Sequence, residues 1–209
     1  MNGSLALKGA LGIGGIGTIA TGGYLINKNY GSGQKTLRTL LKDVSLINDK
    51  NSHHWKAIFE EHKRDQDFIN ELKLKKSDLS SNSKNDEAAP IISAWCKEKL
   101  NLPTSVQKRE QILDQIKKWC VTQPNTIREK LDSLGKSVIS DWKAKYDTIK
   151  NNDLYQEIKT LADTFNNESD KEKGGPALNK WCSDNLAKNT WEDGASGIFE
   201  KAKIRCVGN

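Results

Sequence analysis

From Ile127 onwards the apolar positions Ile127, Leu131, Leu134, Val138, Trp142, Tyr146 and Ile149 recur at steps of 4, 3, 4, 4, 4 and 3. That stripe predicts one long amphipathic helix, with Pro124 at its start and Gly135 as a weak point within it. In the earlier half Leu40, Val44, Ile47, Trp55, Phe59 and His62 occupy the matching places, but the polar run from Asn48 to Ser52 predicts a break. A shorter helix follows in each half, carrying Ile69 and Leu72 in one and Leu154, Ile158, Leu161 and Phe165 in the other. Both run into polar loops, Ser77 to Glu87 and Asn166 to Gly175, expected to be mobile and protease-sensitive. Pro90 and Pro176 then stand where the first residue of a third helix is expected. A fourth piece opens at Thr104 and Thr190, at capping-box spacing from Gln107 and Asp193, and is read as a helix ending at Cys120 and Cys206.

The two halves are copies. Trp55-Lys56-Ala57 matches Trp142-Lys143-Ala144 at an offset of 87 residues, and Pro90, Trp95, Cys96, Leu100, Thr104 and Cys120 match Pro176, Trp181, Cys182, Leu186, Thr190 and Cys206 at 86. The repeat accounts for all four cysteines and four of the six tryptophans. Trp55, Trp95, Trp142 and Trp181 are therefore expected in the core of a twice-used unit of about 86 residues. The expected fold class is all-α: an N-terminal transmembrane segment over residues 1–30, then helical repeats over 31–123 and 124–209.

Each copy holds two cysteines 24 residues apart and no CxxC pair. If the third and fourth helices form a hairpin turning at Pro103, with the fourth regular from Thr104, Cys120 lies about 9 residues further from the turn than Cys96. At 1.5 Å per residue that is roughly 13 Å, beyond the reach of a disulfide. In the second copy Gly194 and Gly197 suggest that the helix starts only near Ile198, which brings Cys206 level with Cys182. Disulfides Cys96–Cys120 and Cys182–Cys206 are the first reading; buried free thiols and metal or other chemistry stay open.

Residues 9–26 carry no charge and are bounded by Lys8 and Lys28. Eighteen such residues are enough for a membrane-spanning helix, with Ala10, Gly14, Thr18 and Gly22 as a small-residue face. An uncleaved signal-anchor is expected, giving residues 9–26 the lipid bilayer as partner; a cleaved signal peptide and a flexible leader are the alternatives. Lys28, Lys35, Arg38 and Lys42 favour cytoplasmic repeats, whereas the paired cysteines favour the outside. The cysteines weigh more, so the expected placement is single-pass in the cell membrane with extracellular repeats.

A net charge of +6 and a pI near 9.0 invite a nucleic-acid reading. Its distribution argues against one. Residues 30–123 hold 17 Lys/Arg against 13 Asp/Glu, residues 124–209 hold 14 of each, and the signs are interspersed as on a solvated helix face. His53, His54 and His62 have no histidine counterparts in the second copy; Ile149 stands in the place of His62, which points to half-buried packing. No phosphate-binding loop, Gly-x-Ser-x-Gly elbow or HExxH helix is present. No catalytic, cofactor-binding or metal residues are expected, nor enzymatic activity, a small-molecule substrate or nucleic acid as partner.

The apolar leader ending in Gly22-Gly23-Tyr24-Leu25-Ile26, the Trp-x-x-x-aromatic patterns of Trp55 to Phe59 and Trp142 to Tyr146, and the Trp-Cys pairs at 95–96 and 181–182 resemble the large paralogous families of uncharacterised proteins in haemotropic mycoplasmas. One departure is Arg205, where the first copy has Trp119. The resemblance implies a membrane-anchored, surface-exposed helical repeat protein that binds a host protein or cell-surface component, or has an antigenic role, and carries over no catalytic residue. The alternative is a membrane-tethered interaction module on the cytoplasmic face.

Overall fold

The computed structural model describes residues 35–48 and 52–208, and these are helical throughout, with nine α-helices and no extended strand among them. The first copy contributes α1 (Ser52–His62), α2 (Gln66–Lys73), α3 (Asn85–Leu100) and α4 (Arg109–Trp119). The second contributes α5 (Ile127–Ser133), α6 (Trp142–Ile149), α7 (Asn152–Ile158), α8 (Lys171–Leu186) and α9 (Ala195–Arg205). Two separate clusters of buried side chains form the interior, one running from Leu37 to Cys120 and the other from Ile127 to Val207. No helix among the described residues is long and apolar enough to cross a membrane. The segment 9–26, read as spanning a membrane, lies outside the described residues.

The stripe from Ile127 to Ile149 is two helices rather than one. α5 stops at Ser133 because Gly135, at φ 68°, takes the left-handed conformation, with its amide on the Asp132 carbonyl and that of Lys136 on Leu131. This paired closure ends helices abruptly. The chain then runs extended to Ile139, whose amide donates to the Cys206 carbonyl, before Asp141 caps α6. α5 itself opens at Thr126 in a capping box with Glu129, two residues after Pro124.

The first copy makes the same turns in a different register. Leu37 donates to Leu102 as Ile127 does to Lys188, and Ile47 donates to Cys120 as Ile139 does to Cys206. The structural partners of Ile127 and Leu131 are therefore Leu37 and Leu41, all four buried, while Leu40 is 50% exposed. Five more residues separate Ile47 from Trp55 than separate Ile139 from Trp142. A further one-residue difference falls between α1 and α2, where Lys63-Arg64 stands against Lys150 alone.

Pro90 and Pro176 are the sixth residues of α3 and α8, not the first. Both face solvent, so water takes over the carbonyl each leaves unpaired. The fourth helix starts at Arg109 and Ala195, not at Thr104 or Ile198, and neither expected capping box forms. Its entry is a left-handed residue in both copies, Lys108 at φ 56° and Gly194 at φ 86°. The turn before it supplies the slack that a helix regular from Thr104 denied to the cysteines.

Candidate functional site

With the start of α4 and α9 set back, the two cysteine pairs close. Cys96–Cys120 and Cys182–Cys206 are disulfides, with Cα atoms 5.8 and 5.7 Å apart. Each staples the middle of one helix to the end of the next, inside its own cluster, and all four sulfurs' residues are at most 1% exposed. Beside each lies an indole with a carboxylate partner: Trp95 donates to Glu71 at 3.1 Å and Trp181 to Glu157 at 3.2 Å. An acceptor of this kind offsets the cost of burying an indole N–H; the buried indole nitrogens of Trp55 and Trp119 have none among the described residues. The two glutamates escaped the sequence reading although they match at the offset of 86 and stand 24 residues before each tryptophan.

Glu157 carries more than the indole. Burial works against its ionisation, but hydrogen bonds and charge from Arg205 and Lys201 outweigh that and bring its carboxyl down from 4.5 to about 2. Arg205 also lies over the Trp181 ring at 4.6 Å. In the second copy Tyr146 fills the place of Phe59, and its hydroxyl donates to the Glu168 carbonyl at 2.7 Å. Burial, with Glu168 nearby, pushes that phenol up to about 12. The ring is admitted by Gly174, where a Cβ would sit 2.2 Å from Tyr146 Cε1. The first copy has Ala88 there and Phe59, which lacks the hydroxyl, in place of the tyrosine, both buried.

The copies meet at a polar junction centred on Glu60, which is 2% exposed. Its Oε1 accepts from the Gly194 and Ser196 amides at 3.1 and 3.2 Å and from the Ser196 hydroxyl at 3.1 Å. Its Oε2 takes Asn85 Nδ2 at 3.2 Å and Lys63 Nζ at 2.5 Å. Gly194 has no side chain to cap α9, so a carboxylate from the other copy does it. Around it Asn85 donates to the Trp191 carbonyl, Lys130 pairs with Glu61 at 3.0 Å, and the Gln123 amide donates to His54 Nδ1 at 3.3 Å. Burial, with His53 alongside, holds His54 below its ordinary pKa. His62 packs half-buried against Phe68, and burial lowers it too.

Of the four tryptophans read as core, Trp55, Trp95 and Trp181 are at most 5% exposed. Trp142 is half-buried and packs against the second cluster from its edge. It borders an open groove of about 400 Å³ whose lining mixes apolar Val138, Cys182 and Leu186 with polar Thr126, Arg128, Asn179 and Ser183. Among the described residues no group of three or more His, Cys, Asp or Glu side chains is placed to hold a metal ion.

No family model matches the chain, and no solved structure matches it. It is similar to RNA polymerase II transcription factor B subunit 3 of Eremothecium gossypii, 28% identical over 140 residues. The similarity covers 66% of this chain and 42% of that protein. The expected placement, single-pass in the cell membrane with extracellular repeats, is corrected by these findings. The described helices include none that crosses a bilayer, and the similarity is to a subunit of a transcription factor.

Proposed function

We propose that the chain is a binding module without chemistry of its own, in which the groove beside Trp142 receives an apolar side chain from a segment of a protein partner. The observation that supports this is the unequal fate of matched indoles. Trp55 is 4% exposed, whereas Trp142 stands half-buried beside an open groove. An indole in a concave site that mixes apolar and polar side chains is where binding free energy concentrates. Cys182 in the lining is stapled to Cys206, which restrains the groove and lowers the entropy lost on binding. The similar protein of Eremothecium gossypii is named as a subunit, in keeping with a protein partner.

The test is selection of random peptides on the purified chain. Enriched peptides are expected to share a bulky apolar residue. Ser183→Trp, at an exposed position in the lining, fills the groove and weakens them tenfold or more without changing the melting curve. Enrichment indifferent to Ser183→Trp sinks the reading.

A further inference from the structure

The first copy carries a second groove, of about 340 Å³, between the end of α1, α2 and the serine loop that follows. Its charged lining consists of Lys63, Arg64 and Lys73, and no carboxylate borders it. Lys63 is held by Glu60, but Arg64 and Lys73 have no acidic partner among the described residues. Lys56, Lys75, Lys76, Lys99 and Lys118 nearby are each paired, although Lys84 and Lys97 have no acidic partner among the described residues. Arginine is scarce here, five residues against 28 lysines; Arg109, Arg128 and Arg205 pair with carboxylates, while Arg38 and Arg64 have no acidic partner among the described residues. Across the groove stand Ser80 and Ser81. The Ser80 hydroxyl takes the Asn82 amide, while Ser81 keeps both its hydroxyl and its amide without a partner among the described residues.

The second copy lacks this constellation. Arg64 occupies the one position in the α1–α2 turn that has no counterpart, and Ser80 and Ser81 become Asn166 and Asn167. Lys63 and Lys73 keep lysine counterparts in Lys150 and Lys159, so what the first copy adds is the guanidinium of Arg64 beside a pair of serines.

We infer that this groove binds a phosphorylated serine or threonine side chain of a protein segment, with Arg64 and Lys73 gripping the phosphate and the Ser81 amide and hydroxyl donating to it. A planar guanidinium matches a phosphate bidentately, and a lysine adds a point charge. The groove has room for one side chain and its flanking backbone. No aromatic ring lines it for base stacking, which disfavours single-stranded nucleic acid. The inference stands on its own observations and does not depend on the groove beside Trp142.

The experiment compares a degenerate phosphoserine peptide library with its unphosphorylated twin on the full chain at 0.15 M salt. The phosphorylated library is expected to be retained at least tenfold more strongly. The double variant R64Q/K73Q, at two exposed positions, should abolish that preference while the melting curve stays put. Equal retention of the twin, or a double variant that retains the preference, overturns the inference. So does a single-stranded oligonucleotide that displaces the phosphopeptides at lower concentration than inorganic phosphate does.

Discussion

In the first copy the Trp95 and Trp119 indoles meet edge to face at 5.2 Å, and Phe68 lies tilted against Trp119 at 5.0 Å. In the second, Trp181 meets the guanidinium of Arg205, which is tied to Glu157, and Leu154 stands where Phe68 would. One interior is closed by ring on ring, the other by an ion pair laid on a ring. Both keep the disulfide and the indole–glutamate bond. After duplication, then, the crosslink and the buried donor with its acceptor stayed, because losing either partner strands the other, while aromatic surface was exchangeable for a guanidinium of similar span. The face of each copy diverged most: α1 offers Glu60 to its neighbour, and the matching residue of α6 is Asp147, exposed and paired with Lys150.

The sharpest way to break this comparison is to truncate matched indoles. Trp55→Ala is expected to cost about 3–5 kcal/mol by urea denaturation, as a fully buried ring should. Trp142→Ala should cost less, about 2 kcal/mol, since part of its ring is already in water. Equal losses would mean that the groove beside Trp142 closes in solution, and the binding reading would lose its support.

The disulfides come next. The two close loops of identical length, 24 residues apart in each case, so the loss of chain entropy on crosslinking is the same. Removing either pair, as Cys96→Ala/Cys120→Ala or Cys182→Ala/Cys206→Ala, should cost about 3–4 kcal/mol. A difference above about 1 kcal/mol locates an asymmetry in how the two interiors close around the missing sulfurs.

Glu60 tests the junction. Glu60→Ala leaves the Gly194 and Ser196 amides without their acceptor and Lys63 without its partner, for an expected cost of about 2–3 kcal/mol. Asp147→Ala, the same change in the second copy, should leave the urea midpoint unchanged, because its carboxylate is fully exposed. Amide exchange at Gly194 and Ser196 should quicken in the first variant alone. Unchanged exchange there would show that the copies hold together without the carboxylate.

The positions that recur at a fixed offset were readable without coordinates: the Trp-Cys pairs, the prolines and the reach of the cysteines. Glu71 and Glu157 were equally readable, at the same offset. What misled was the stripe from Ile127 to Ile149. Helical periodicity cannot register a reversal that happens to keep apolar residues three or four apart on both sides: the left-handed turn at Gly135 is one, and it leaves Leu134, read as part of the stripe, 56% exposed. The misread stripe then dragged Leu40 and Val44 into places that Leu37 and Leu41 hold. The prolines were misplaced for a related reason: a helix tolerates proline beyond its first turn when the orphaned carbonyl faces water, and which face is wet is a tertiary fact. Glu60 carried no local signal, because its partners lie 134 and 136 residues away.

The smallest expected effect concerns the entry to the fourth helix, where the copies hold one backbone conformation with different residues. Lys108 sits at φ 56° and Gly194 at φ 86°, both with helix following at once. A side chain with a Cβ pays roughly 1 kcal/mol in that region, and glycine pays instead in the freedom of the unfolded chain. Lys108→Gly should therefore stabilise the first copy by about 0.5–1 kcal/mol, and Gly194→Ala should destabilise the second by about 1 kcal/mol. The sign matters more than the size. Nothing lies within 4 Å of the Cβ that Gly194 lacks, so any loss there is conformational rather than steric. Should Gly194→Ala prove neutral, the amides gathered by Glu60 must be holding the turn open against the strain, and combining it with Glu60→Ala would then expose a loss that neither change shows alone.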